Sequence, residues 1–177
     1  MYSTENKNDV LERLNWTREG LIAAVAGLSQ QQLDLQPSPD GWSISGIVEH
    51  IASVDEAVAT RVLVSLMSTP PVATNGNLTE ADARLWERVC DRSVKIQAPD
   101  PLHPKGQPLT ISLERFAASR KRIAEFLDAP PPDLRLHAIP HPALGLLDGH
   151  QWLLACAGHC ARHTQQLLET KAAIGGA

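Results

Sequence analysis

Prolines and amphipathic stripes alternate along this chain, and that alternation restricts its architecture more than any other feature. Pro37 and Pro39, Pro70-Pro71, the spaced set Pro99, Pro101, Pro104 and Pro108, the run Pro130-Pro131-Pro132, and Pro140 with Pro142 divide it into proline-free stretches. Proline lacks the amide donor and biases its predecessor out of the helical region, so helices end at these points. Between them, apolar residues recur at three- and four-residue steps. Val10, Leu14, Thr17, Leu21, Val25 and Leu28 form one stripe, and Ile47, Ile51, Val54, Val58, Val62 and Leu66 form a second. Leu113, Phe116, Ile123, Phe126 and Leu127 form a third. The pattern predicts long helices over about 4–28, 44–67 (capped by Ser43), 110–128 and 149–171 (capped by Asp148). Asp148 with Gln151 three residues later reads as a capping box. A shorter helix is expected from Thr79 to about position 95, and 134–147 reads as an extended connection. The expected fold is all-α: one domain over 1–177, a four-helix bundle with a long crossover link between the second and third long helices.

Composition narrows the function classes. Hydrophobic residues make up 43% and charged residues 20% of 177 positions, an ordinary globular balance. Lys plus Arg number 16 against 20 Asp plus Glu, and the resulting charge of −4 argues against nucleic-acid binding. Three cysteines make no disulfide framework. The polar first nine residues lack the pattern of a secretory signal, and no apolar run approaches the roughly 20 residues of a membrane span. A cytoplasmic protein acting on a small molecule, without nucleic-acid or membrane partners, is the expectation.

The chemistry concentrates in His159-Cys160-Ala161-Arg162-His163. Residues four apart on a helix differ by about 40° around its axis, so His159 and His163 project from one face and can meet one metal ion. His50 lies beside the second stripe, flanked by Ile47, Ile51 and Val54. Alone it reads first as a core-edge histidine bonded to a carbonyl or carboxylate, the commoner case. With the pair it completes three nitrogen ligands. Three histidines without an evident fourth protein ligand form a pattern that leaves one coordination position for water or substrate.

Several motifs in their order resemble the DinB/YfiT-like metalloenzyme family, from about position 41 to 168. They are Trp42-Ser43-Ile44 leading to Glu49-His50-Ile51, then Arg120 and Arg122 before Phe126-Leu127. His141-Pro142-Ala143-Leu144-Gly145, Gln151-Trp152-Leu153 and His159…Arg162-His163…Gln165-Gln166 follow. The resemblance implies a four-helix bundle holding a divalent metal on His50, His159 and His163. Zinc suits three imidazoles, and nickel is the alternative. Family members include transferases and isomerases that use low-molecular-weight bacterial thiols such as mycothiol or bacillithiol. Thiol S-transfer with a thiol cosubstrate is therefore the expected activity, and metal-dependent hydrolysis the alternative. A non-catalytic metal-binding stress-response module is the reading from another class, and a homodimer the expected assembly.

Around these ligands, Gln166 could orient His163 or a bound water, or lie on the surface. Arg162 could take a substrate carboxylate or sit in a salt bridge. Trp152 reads as a core anchor more readily than a substrate platform. His141 could line the pocket mouth or shape a turn. Glu49 could support His50, with a solvated helix face as the default for it and for Asp55. Cys156 has feasible spacing for ligation, although buried cysteine usually behaves as a small hydrophobe.

Overall fold

The computed structural model describes residues 2–72, 77–129 and 133–175. Seven α-helices and one hairpin follow in order: α1 (Thr4–Val25), α2 (Gln30–Asp34), α3 (Ile44–Ala57), α4 (Leu63–Met67), α5 (Leu78–Cys90), α6 (Leu109–Asp128), β1 (Ala138–His141), β2 (Gly145–Asp148) and α7 (Gly149–Ala173). The all-α bundle expected from the stripes is the observed architecture, with α1, α3–α4, α6 and α7 as its long members. Helix α7 occupies the middle, packing on α1, α3 and α5, while α3 also lies along α6. Among the described residues no helix is long and apolar enough to cross a membrane.

Local chemistry explains most boundaries. Ser3, Ser43 and Asp148 cap α1, α3 and α7 by accepting the amides of Asn6, Gly46 and Gln151. Asp148 and Gln151 form the expected capping box. Helix α1 ends before position 28 because Gly27 takes a left-handed φ of 74°. Asn77, rather than Thr79, caps α5 through the Glu80 amide. That helix stops at Cys90, where Asp91 folds back onto the amide and hydroxyl of Ser93. The break attributed to the proline run at 130–132 lies outside the described residues.

Two departures from the expected pattern matter. Val58–Val62 is a π-helical turn joining α3 to α4. Its extra residue moves the buried position after Val58 from Val62 to Leu63, so the second stripe changes phase partway along. The stretch expected to be an extended connection contains a 3₁₀ turn, Leu134–Leu136, and the antiparallel β1–β2 hairpin. Pro142, Ala143 and Leu144 form its loop, and Gly145 closes it at φ 88°. Strands of four residues are too short to display a period.

The apolar core has two halves. One gathers Leu14, Val58, Leu63, Ile123 and Leu153, and the other Leu21, Ile47, Ile51, Phe116 and Leu167. Between them lies a buried polar layer with one contribution from each long helix: Thr17, Asp55, Arg120 and Cys156. Arg120 pairs with Asp55 and donates to the Leu14 carbonyl at 2.8 Å, while Cys156 Sγ donates to Asp55 at 3.2 Å. Burial opposes the Arg120 charge, but Asp55 outweighs it and holds the guanidinium protonated. Asp55 is therefore wholly buried, not on the solvated face expected for it.

A second polar group gathers at the start of α7. Arg135 bridges Asp82 and Asp148, and the Tyr2 hydroxyl meets His150 Nδ1 at 2.7 Å. Burial, followed by the Arg135 charge, pushes the His150 pKa down to about 4. Further along, α5 comes so close to α7 that a Cβ on Gly158 would stand 2.9 Å from Val89 Cγ1.

Candidate metal centre

Helix α7 places His159 and His163 one turn apart with ring centroids 4.3 Å from each other. Helix α3, fixed at its start by Ser43, brings the His50 ring to 4.9 Å from His159 and 4.6 Å from His163. One nitrogen from each imidazole falls within 4.8 Å of the other two, so the three could hold a single metal ion.

The protons on these rings follow from their partners. His50 Nδ1 lies 2.8 Å from the Leu102 carbonyl, which only accepts. The proton must be on Nδ1, and Nε2 is bare. His163 Nδ1 lies 2.8 Å from Gln166 Oε1, again an acceptor, so its Nε2 is also bare. His159 Nε2 stands 3.0 Å from His50 Nε2, while its buried Nδ1 has no partner among the described residues. Ligands of a tetrahedral zinc would be about 3.3 Å apart. Two bare nitrogens, each on a ring backed by an acceptor, with a third imidazole 3.0 Å from one of them, fit a divalent cation.

Electrostatics keep the rings neutral. Burial dominates in all three and lowers the pKa of His50, drives that of His159 far down, and takes that of His163 to about 3. Metal ligation needs neutral imidazole, so this environment favours the ligating form.

The link between α5 and α6 supplies much of the support. Glu49 accepts the amides of Lys105, Gly106 and Gln107 at 2.9–3.0 Å, with Gly106 at φ 81°. Glu49 thus grips the segment that carries Leu102 and does not bond to His50. Arg162 donates to the carbonyls of Asp91 and Val94, so its guanidinium is committed to the chain and not directed to a substrate carboxylate. Trp42 lies over His50 at 4.9 Å and meets His103 edge-on at 5.8 Å.

Other sequence candidates make their hydrogen bonds away from the triad. Trp152 is a core residue whose Nε1 donates to the Ile139 carbonyl at 3.3 Å, roughly 10 Å along the helix axis from His159. His141 accepts the Ala143 amide at 3.1 Å and packs its ring on Trp152, so it shapes the hairpin turn. Cys156 faces Asp55, and burial raises its thiol pKa well above the usual range. Leu102 and His103 left no signal in the sequence, because a carbonyl partner or a loop side chain has no periodic signature. Trp42, quoted in the motif that leads to His50, stands just before the cap of the helix bearing that histidine.

The family model described as DinB superfamily matches residues 13–167. The chain belongs to the DinB superfamily. Among relatives of this DinB protein, the uncharacterized protein YuaE of Bacillus subtilis (strain 168) is 28% identical over 154 residues, spanning 85% of this chain and 90% of that one. YfiT from Bacillus subtilis, described as a probable metal-dependent hydrolase with an unusual four-helix bundle topology, superposes with a TM-score of 0.67. It is 18% identical, with 100% of this chain and 92% of that chain covered. TT2238, a four-helix bundle protein, superposes at 0.58 with 22% identity, covering 92% of this chain and 98% of that one. At these identities the two structures establish the shared fold.

Proposed function

We propose that this DinB protein is a metal-dependent enzyme that joins a low-molecular-weight thiol to a small electrophile, with His50, His159 and His163 as the ligands of a divalent ion, zinc in the first instance. The observation that carries the reading is the triad of neutral imidazoles, two of them fixed by acceptors behind the ring. A divalent ion with an open position lowers the pKa of a bound thiol or water and so supplies a nucleophile near neutral pH. Leu102 and Gln166 keep the bare nitrogens of His50 and His163 directed inward, while Trp42 and His103 form an aromatic wall beside His50.

The choice of thiol over water rests on the neighbouring carboxylates. Glu49 is held by three backbone amides, Asp55 by Arg120, and Glu169 by Arg92. Each of these three is engaged by those partners, and none hydrogen-bonds to a triad imidazole among the described residues. A thiol, with an ordinary pKa of about 8.5, needs less help to ionise. In the transfer the thiol gives its proton to water, its sulfur electron pair forms the new bond to an electrophilic carbon, and that carbon releases a leaving group with its bonding pair. Hydrolysis is the second reading, supported by the description of YfiT.

Tag-free protein loaded with zinc, assayed with several thiols against a panel of electrophiles, tests the proposal. The expected result is a rate above that of the metal-free protein for at least one pair. No such rate for any pair, with hydrolysis of an ester or amide panel instead, would replace transfer by hydrolysis.

A further inference from the structure

Behind His163 stands a chain of polar contacts whose direction is fixed. Gln166 Oε1 lies 2.8 Å from His163 Nδ1 and 3.5 Å from Arg92 Nη1. Arg92 in turn donates to both carboxylate oxygens of Glu169, through Nε at 3.0 Å and Nη2 at 2.6 Å. Gln166 and Glu169 are three residues apart on α7, on adjoining positions of one face. Arg92 reaches them from the link after α5, beside the Asp91 and Val94 carbonyls that Arg162 holds.

A side-chain amide can turn end for end, exchanging a donor for an acceptor at the same place. A guanidinium has donors only. With Arg92 in position, the amide atom facing it must therefore be the oxygen. That same oxygen then cannot donate to His163, so His163 Nδ1 must carry the proton and Nε2 must be bare. Without Arg92 the amide is free to present its NH₂ to Nδ1. The ring proton then moves to Nε2, which closes that nitrogen to a metal.

We infer that Arg92 is a positioning residue of the metal centre: anchored by Glu169, it fixes the Gln166 amide and through it the tautomer of His163 that can bind metal. The inference rests on the reading that the triad holds a divalent ion, but its first consequence is visible without one. Long-range ¹H–¹⁵N correlation spectra of metal-free protein report which nitrogen of His163 is protonated. The native chain should show the Nδ1–H form alone, and Arg92→Met a mixture with Nε2–H. Arg92→Lys, which keeps a donor-only group, should restore the single tautomer at least in part. In chelator competition, zinc affinity should fall about tenfold in Arg92→Met, the lower end of what loss of an outer partner does. A single Nδ1–H tautomer together with native zinc affinity in Arg92→Met would overturn the inference. Should the native chain bind no zinc, the ligand reading fails, and the tautomer comparison alone still decides the role of Arg92.

Discussion

The Nε2 atoms of His50 and His159 face each other at 3.0 Å although 109 positions separate the two residues in the chain. Because His50 is protonated on Nδ1, the contact needs His159 to donate through Nε2, and His159 Nδ1 is then a buried acceptor without a donor among the described residues. A divalent ion would replace that arrangement with one in which the converging nitrogens share a common partner. The expected stoichiometry is about one ion per chain, measured by elemental analysis after purification without a nickel column. His163→Ala should abolish stoichiometric binding while far-UV circular dichroism stays unchanged. One full equivalent retained by that variant would locate the ion elsewhere.

His150 should make stability pH-dependent. Its folded pKa is about 4, below the ordinary 6.5, so between those values the unfolded chain binds the extra proton. Stability from keeping this ring neutral is complete above about pH 6.5 and is lost as pH falls toward 4, reaching about 3 kcal/mol by linkage. The triad histidines shift in the same direction and add to the slope in metal-free protein. Denaturant unfolding at pH 7 and pH 5 should therefore show a smaller pH difference in His150→Gln than in the native chain. Equal differences would show that His150 does not titrate on unfolding.

Asp55 and Arg120 should be interdependent. Asp55→Ala leaves a buried guanidinium without its counter-charge and should cost about 3–5 kcal/mol. Replacing both partners by apolar residues of similar volume removes the uncompensated charge, so that double variant should be more stable than Asp55→Ala. Denaturant midpoints of the two variants check the order.

Gly158 should not accept a side chain. An added Cβ would stand 2.9 Å from Val89 Cγ1, so Gly158→Ala must separate α5 from α7 or distort one of them. Overpacking of this kind costs about 1–3 kcal/mol. Val89→Ala in the same chain makes room, and its pairing with Gly158→Ala should recover part of the melting temperature. An unchanged melting temperature in Gly158→Ala alone would show that the two helices are not tightly seated there.

The long helices were legible because their signals are local: stripes, caps at Ser43 and Asp148, and prolines at the ends. The β1–β2 hairpin was not, since its strands are four residues each and its turn depends on Gly145 adopting a left-handed φ. The shared face of His159 and His163 follows from their spacing, whereas that spacing alone does not make a metal site, and His50 needed a three-dimensional partner to distinguish it from a core histidine. The polar layer was readable in principle. Asp55 falls four residues after Ile51 and Arg120 four after Phe116, each on a buried stripe, and opposite charges so placed predict an internal pair. Leu102 could not be foreseen as a partner of His50, because the atom used is a carbonyl common to every residue.

Support through the main chain affects how such a site diverges. The link between α5 and α6 supports His50 through a main-chain carbonyl, and Glu49 grips the same link through main-chain amides. Both attachments read the path of the chain and ignore the identity of the residue at each step. Substitutions at Leu102, Lys105 or Gln107 can therefore accumulate over a lineage without loosening His50, so long as the path is kept. A descendant can thus change the side chains beside His50 while inheriting the three histidines unaltered.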